Sequence, residues 1–337
     1  MKRVVVVGGR GFVGGELLRL LVHHPEVRVT GVTSDTQAGR AVEGAHPPLR
    51  GSGLRYSRRE ELEPADLVFL AGVHGSTAEI LDEIGALAPK IVDLTADFRI
   101  QDPELMERYY GWRREGERAK AFVRGLPELH RKEIVDADRV AVPGCMATSA
   151  ILSLAPLASR GLLSEVQVDA RTGSSGSGAS SGSANSHALR SGVMRVFAPF
   201  GHRHEAEVIE ALGVEDVSMT VTATPQVRGV QTVTKVAVGD VGERELLAMY
   251  REDYGAEPFV RLVNSPRGTY RYPDPKVLLG SNFCDVGLVA DNRGKALAMG
   301  SLDNLVKGAA GGAVQCMNLM LGLPETCGLT FPGLHPV

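Results

Sequence analysis

The chain has few cysteines for its 337 residues: Cys145, Cys284, Cys316 and Cys327, with no CxxC pair among them. That scarcity excludes a disulfide-stapled scaffold and a zinc ribbon, and it fits a reducing cytoplasm. A charge bias is also missing. Lys and Arg total 37, Asp and Glu 40, and the formal net charge is −3, which argues against a general nucleic-acid binder. No apolar run is long enough to span a bilayer. The opening MKRVVVVGG has a basic start, but its apolar run is four valines and ends in glycine. It reads as a first strand rather than a signal peptide. The length suffices for two domains with cores of their own.

Among what is present, the stretch Val142 to Leu154, VPGCMATSAILSL, carries the most chemistry. Pro143-Gly144 sets a turn, and Met146, Ala147, Ala150, Ile151 and Leu154 then recur at helical spacing. Cys145 therefore stands at a helix start. Unpaired N–H groups and the positive end of the helix dipole lie there and favour a thiolate. Such a thiolate attacks an electrophilic carbonyl. A buried cysteine that merely packs is the structural alternative.

Residues 3–7, RVVVV, form a β-branched strand suited to a parallel sheet. A G-x-x-G-x-x-G turn follows at Gly8, Gly11 and Gly14 and leads into a helix at Glu16–Leu21. In a dinucleotide site Gly8 allows the tight turn, Gly11 lets a pyrophosphate approach the backbone, and Gly14 lets helix and strand pack closely. Its position between first strand and helix makes Gly8, Arg10, Gly11, Phe12, Val13 and Gly14 cofactor-binding candidates. The second strand, 27–33, ends at Ser34-Asp35. Asp35 suits the ribose hydroxyl of NAD, whereas Arg10 and Arg40 suit the 2′-phosphate of NADP. Strands at 66–71 and 90–94 extend the sheet. The loop after the first holds His74, and the second runs into Asp97-Phe98-Arg99, where Arg99 could hold a phosphate oxygen. Residues 101–120 read as a solvated helix and loop.

After the cysteine helix a strand at 166–170 enters a Ser/Gly-rich loop, Thr172 to Ser183, read as a binding loop rather than a linker. Gly201-His202-Arg203-His204-Glu205-Ala206-Glu207 supplies two histidines, either able to serve as general acid and base near Cys145, with Glu207 to orient one. His-x-His could also be a metal pair, but no third ligand cluster is evident. Strands at 217–223 and 229–239 alternate like an antiparallel sheet, with further strands at 283–290 and 295–301. A helix rich in small residues runs from Asp303 to Leu321, and we expect it to return to the first domain.

Taken in order, GGRGFVG, His46-Pro47, LTADFR, GLPEL, PGCMATSAIL, ARTGSSGSGA, GHRHEAE and SLDNLVKGAAGGAVQCMNLMLG resemble the N-acetyl-gamma-glutamyl-phosphate reductase family, within the wider semialdehyde-dehydrogenase group. The resemblance covers nearly the whole chain. Two segments depart from the arginine-pathway form: Met146-Ala147-Thr148 after the cysteine, and Thr222–Gly229. Together with Leu279–Asp285 they look like the branch whose substrates are attached to the amino-group carrier protein LysW. The resemblance implies a Rossmann domain, 1–145 completed by 303–337, and an α+β catalytic and dimerisation domain, 146–302, with a mostly antiparallel sheet. It implies NADPH-dependent reduction of an acyl phosphate to a semialdehyde through a thioester on Cys145. His202 would be the acid/base. Arg99, His204, Glu207 and Lys307 would hold substrate or phosphate. Ser34 and Asp35, with Ser174, Gly176 and Asn304 at the nicotinamide end, would bind NADP(H). The implied partners are the acidic carrier, met by Arg171, Arg190, Arg195 and Arg203, and further copies of the chain in a dimer or tetramer, all in the cytoplasm.

Three other readings stay open. The first is reduction of the free acetylated glutamyl phosphate. The second is a dinucleotide-binding redox regulator without turnover, and the third a hydroxy-acid dehydrogenase, which needs no cysteine at a helix start.

Overall fold

A computed structural model describes residues 1–113, 120–180, 182–183, 185–291 and 293–337. Part of the expected 101–120 segment and Ser181 of the expected binding loop lie outside the described residues. The chain divides into two compact units. One comprises Met1–Gln101, a segment ending at Pro143, and Ala309–Phe331. The other comprises a segment opening at Asp102, Gly144–Gly308 and Pro332–Val337.

The first unit is built on a six-stranded parallel sheet. Its strands are β1 (Lys2–Val7), β2 (Val27–Val32), β3 (Leu67–Leu70), β4 (Lys90–Asp93), β5 (Val123–Arg124) and β6 (Arg139–Ala141), in the order β2-β1-β3-β4-β6-β5. Val4 to Val7 are buried along their whole run, as are Leu67 to Leu70. Strands covered on both faces need this unbroken apolar character. Crossovers through Phe12–Val22 and Thr77–Leu87 pack their Leu17, Leu18, Leu21, Leu81 and Ile84 into the core. The order reverses around β1, with β2 on one side and β3 on the other, so the ligand crevice of such a sheet opens beyond the C-terminal ends of β1 and β3.

The second unit holds a seven-stranded mixed sheet. Its strands are β7 (Val166–Thr172), β8 (Arg195–Ala198), β9 (Val217–Ala223), β10 (Val230–Ala237), β11 (Val260–Leu262), β12 (Cys284–Ala290) and β13 (Lys295–Leu302), in the order β11-β12-β13-β10-β7-β9-β8. Four of its pairings are antiparallel and two, β11 with β12 and β7 with β9, are parallel. The alternation in 217–223 and 229–239 is real, yet those strands do not pair with each other. Both flank β7, which pairs with β9 in parallel and with β10 antiparallel. The helix Cys145–Ala158 is buried from Met146 to Leu157. Gly300 of β13 admits it closely, since a Cβ there would lie 2.5 Å from the Ser149 carbonyl oxygen.

The units differ from the expected domain limits in four places. Gly144 and Cys145 group with the second unit, because Gly144 is tied to Glu207 and Cys145 lies against Gly308. Residues 303–308 and 332–337 also group there, as does the segment opening at Asp102. The expected helix from 303 to 321 is divided: Val306–Ala310 is a π-helical turn and Gly311–Met320 an α-helix, and the latter packs within the first unit against Pro127–Asp136. A π turn widens the helix by one residue per turn and is found most often at functional sites.

Candidate active site

In the first unit the glycine turn is shaped by contacts that leave no room for a side chain. Gly8 has φ +86°, and a Cβ on it would lie 2.7 Å from the Ala71 backbone. On Gly14 a Cβ would lie 2.6 Å from the Gly8 carbonyl oxygen, whereas Gly11, the N-cap of Phe12–Val22, has open space. That is the cradle a pyrophosphate needs: a helix N-terminus with backbone approachable from one side. His46 braces it, its Nε2 2.8 Å from the Gly9 carbonyl oxygen. Ser34 is buried, whereas Arg10, Asp35 and Arg40 are exposed beside the turn and strand end. We expect Gly14→Ala to lower Tm by roughly 5 °C and to weaken NADP binding about tenfold, as read by thermal melting and by cofactor titration.

The loops after β3 and β4 are tied together by buried acids. Asp97 accepts from the backbone N–H groups of Gly75 and Thr77 at 3.2 and 2.9 Å, and Thr95 Oγ1 links it to Asp93. Burial pushes Asp93 up to about 7, against its hydrogen bonds from Thr95. His74 accepts from Ala96 N at 3.0 Å and so holds a loop in place. Arg99 donates to the Leu94 carbonyl at 2.8 Å and stays half-buried.

In the second unit Cys145 is the first residue of its helix and half-buried. The first intrahelical bond runs from Thr148 N to Gly144 O at 2.8 Å, so the N–H groups of the preceding residues lie ahead of the helical ladder. The imidazole of His204 occupies the place of a side chain on Gly144: a Cβ there would be 2.1 Å from His204 Nε2. Only glycine before the cysteine permits this approach. Glu207, one turn along the same helix and 1% exposed, accepts from Gly144 N at 2.7 Å and from the Tyr110 hydroxyl at 3.2 Å. Its Oε1 is 3.8 Å from His204 Nε2.

His202 stands behind His204. The rings meet edge to face with centroids 4.6 Å apart, and His202 Nδ1 accepts from His204 N at 3.2 Å. Burial and the adjacent Arg203 push His202 down to about 4, so it is neutral at physiological pH. The turn between them is held by Glu205, whose Oε1 accepts from the N–H groups of Gly201, His202 and Met219. Burial and a hydrogen bond to that carboxylate push Tyr109 up to about 12.

On the other side of the thiol, a Cβ on Gly308 would lie 2.5 Å from Cys145 Cβ. The preceding Lys307 is 2% exposed, with Nζ 5.9 Å from the Phe259 ring centroid. Asn304 in the same segment accepts from Gly229 N at 2.8 Å and donates to Ser175 Oγ at 2.9 Å. It thereby fixes the Ser/Gly loop, whose Ser174 donates its N–H to Gln226 O while Gly176 stays exposed. Asp303 accepts from Gly280 N and pairs with Arg228.

Cys145, His204, Glu207, Asn304 and Lys307 thus belong to one unit, with His204 and Glu207 meeting at Gly144 and Gly308, next to Lys307, lying against Cys145. Tyr110 and Gly308 join them without having been singled out. Tyr110 lay in a stretch read as solvated, and nothing local in that polar segment marks it. The expected arginine surface is not uniform. Arg171 pairs with Asp169 and donates to Gln231, and Arg195 is exposed. Arg190 is buried, so it is not one of the solvated charges. Among the described residues no group of three or more His, Cys, Asp or Glu could hold a metal ion, and no helix is long and apolar enough to cross a membrane.

A chain with a dinucleotide cradle in one unit and, in the other, a cysteine at a helix start whose preceding glycine is packed by a histidine and a buried glutamate is matched by known families. Residues 3–137 match the semialdehyde dehydrogenase NAD binding domain, and residues 145–304 match the semialdehyde dehydrogenase dimerisation domain. The chain belongs to the semialdehyde dehydrogenase family. It is an oxidoreductase whose first unit is a nicotinamide-dinucleotide domain. The LysW-L-2-aminoadipate 6-phosphate reductase of Deinococcus radiodurans is 45% identical over 99% of this chain and 98% of its own length. A Thermomicrobium roseum protein that carries the same name provisionally is 48% identical over 99% of both chains. One from Pyrococcus abyssi, provisionally named for both LysW-L-2-aminoadipate and LysW-L-glutamate phosphates, is 46% identical over the whole of both. Among solved structures, aspartate semialdehyde dehydrogenase II of Vibrio cholerae superposes with a TM-score of 0.71 at 16% identity, over 96% of this chain and 99% of that one. The NADP complex of the Candida albicans enzyme gives 0.71 at 15% identity, over 95% and 98%. At that identity the two structures speak for the fold alone.

Proposed function

We propose that the chain reduces LysW-linked L-2-aminoadipate 6-phosphate to the semialdehyde with NADPH, in lysine biosynthesis. The carrying observation is the packing of His204 against Gly144, the residue before Cys145, read with the names of full-length relatives. The Cys145 thiolate adds to the acyl phosphate carbonyl, the C–O bond to phosphate breaks, and a thioester with inorganic phosphate results. When bound, NADPH supplies the hydride that takes the thioester to the oxidation level of the aldehyde. N–H groups ahead of the helical ladder at the start of the Cys145 helix are the donors that would stabilise a tetrahedral oxyanion. The thiohemiacetal then collapses, the C–S bond breaks, and the thiolate is restored.

The acid/base role that the resemblance gave His202 falls to His204 on this geometry. His204 touches the cysteine's peptide and is oriented by Glu207, whereas His202 lies behind it. Arg99 and Lys307 remain the candidates for the leaving phosphate. Gly8, Arg10, Gly11, Phe12, Val13, Gly14, Ser34 and Asp35, with Ser174, Gly176 and Asn304, remain those for the cofactor. The exposed Arg10 and Arg40 favour the 2′-phosphate of NADP over the exposed Asp35. The carrier is the expected macromolecular partner, and self-association through the dimerisation domain is expected with it.

The test is phosphate-dependent NADP reduction, the reverse reaction, with carrier-linked aminoadipate semialdehyde and with free N-acetylglutamate semialdehyde. We expect turnover of the carrier-linked aldehyde and a kcat/KM at least roughly 100-fold lower for the free one, the discrimination that a lost docking surface gives. Equal or preferential turnover of the free compound would place the chain in ordinary arginine synthesis.

A further inference from the structure

Where β3 and β4 end in the first unit, side-chain oxygens meet in a cluster whose hydroxyl groups cannot supply every hydrogen its contacts require. Thr95 Oγ1 lies 3.0 Å from Asp93 Oδ2, 3.1 Å from Asp97 Oδ2 and 3.0 Å from Thr77 Oγ1. Each oxygen–oxygen contact of this length needs a hydrogen between its atoms. Thr95 and Thr77 bring one each, which serves two of these contacts and leaves the third without. A further neighbour, Asp97 N at 3.3 Å, brings its own hydrogen and does not alter the count. However the hydroxyls turn, one contact is left to a carboxyl O–H.

The donors around the acids say which carboxyl holds that hydrogen. Asp97 Oδ2 accepts from the backbone N–H groups of Gly75 and Thr77 at 3.2 and 2.9 Å, as a charged oxygen does at a helix start. Among the described residues Asp93 Oδ2 meets the Thr95 hydroxyl alone, while its Oδ1 takes Thr95 N at 2.9 Å. Asp93 is fully buried. Burial first, and then repulsion from Asp97, favour its neutral acid, while the hydrogen bonds from Thr95 and the charge of Arg99 oppose them. The outcome is the rise to about 7. His74, whose Nδ1 takes Ala96 N, is the other titratable group of these loops. The strand partners of Asp93, Leu70 of β3 and Ala141 of β6, are apolar, and helix Thr77–Leu87 brings the neutral Thr77 to the cluster.

The cluster is tied to the cofactor cradle. The loop after β3 runs from Ala71 to Ser76, and its first residues press on the glycine turn: a Cβ on Gly8 would lie 2.7 Å from Ala71 C and from Gly72 N. The far end of the same loop hangs on Asp97 through Gly75 N and Thr77 N.

We propose that Asp93 and Asp97 form a one-proton latch, closed by a hydrogen on Asp93, that holds the Ala71–Ser76 loop in the shape that binds NADP(H). When that hydrogen leaves, two carboxylates compete for the Thr95 hydroxyl. It turns to Asp93, because Asp97 has amide donors besides. Asp97 then loses the hydroxyl bond and faces a buried like charge, and the loop it holds loosens. Cofactor affinity falls as pH rises through the ionisation of Asp93, since the closed form is the one that binds.

The experiment is calorimetric binding of NADP to the full chain from pH 6 to pH 9, which needs no turnover. Asp93→Asn is the locked form: its amide is neutral throughout and donates to Thr95 Oγ1 in place of the acid. The affinity of wild type relative to Asp93→Asn should fall about fivefold or more across this range, and the ratio cancels titration of the cofactor's own phosphate. A ratio that does not move with pH overturns the latch. Where Asp93→Asn does not fold, Thr95→Val takes its place, with the same fall expected in the ratio and a constant ratio again overturning the latch. Thr95→Ser keeps the hydroxyl and should follow wild type. The infrared carbonyl band of a protonated carboxyl, read with isotope-labelled aspartate, locates the hydrogen. The difference between wild type and Asp93→Asn should show that band at pH 6 and lose it by pH 9. No such band at pH 6 overturns the assignment to Asp93.

Discussion

Cys145→Ser is expected to lower kcat by roughly 10⁴-fold or more, the scale for loss of a nucleophile that works as part of a unit. The two side chains differ little in volume. Cys145 is half-buried and begins its helix, where serine is well tolerated. Tm should therefore move by no more than a few degrees, and NADP affinity should stay the same. The loss is chemical. A helix start beside His204 can hold a thiolate near neutral pH, but it cannot hold an alkoxide, and an oxygen ester accepts hydride less readily than a thioester. The check is steady-state NADP reduction with a single-turnover measurement of acyl-enzyme, which should vanish along with kcat. A regulator that senses redox state without turnover predicts the opposite pattern: no acyl-phosphate-dependent NADPH consumption even in wild type, and partner binding unaffected by the serine.

The features legible in the sequence are those carried by neighbours along the chain. Four valines before Gly8 and leucines after Gly14 make a strand, a turn and a helix within 20 residues. The contacts of Gly8 and Gly14 are what that pattern demands. Cys145 after Pro143-Gly144 is local in the same way. The features not legible depend on long-range closure. Glu207 meets Gly144 across 63 residues and Tyr110 across 97, and no local feature of the 101–113 segment marks a tyrosine that will face a buried carboxylate. Which of His202 and His204 packs on Gly144 is a matter of helix phase at the Arg203 N-cap, and spacing along the chain does not reveal it. β9 and β10 alternate alike and are adjacent in sequence. Their common partner β7 arrives from elsewhere, so periodicity could not reveal that they are not neighbours. Arg190 reads as an ordinary charge because burial, not residue type, is what distinguishes it.

The two histidines should separate sharply on substitution. On the proposed role of His204 as acid and base, His204→Asn is expected to lower kcat by roughly 10³-fold. His202→Asn should cost about tenfold or less and leave the kcat/KM profile between pH 5 and 9 unaltered. His202 sits near 4 and is already neutral over that range, and asparagine can still accept the His204 N–H. Glu207 makes the assignment stricter. Glu207→Gln keeps an acceptor for Gly144 N but loses the negative charge 3.8 Å from His204 Nε2. It should therefore lower kcat by roughly 10- to 100-fold, with stability nearly unchanged. Glu207→Ala also leaves the Gly144 N–H buried and unpaired, a cost of about 1–3 kcal/mol, so it should lower Tm as well as kcat. A pH–rate series across the four variants, with melting curves beside it, tests the whole arrangement. If His202→Asn proved the more damaging of the two and moved that profile, the proton path would run through the rear histidine, and the contact of His204 with Gly144 would be packing alone.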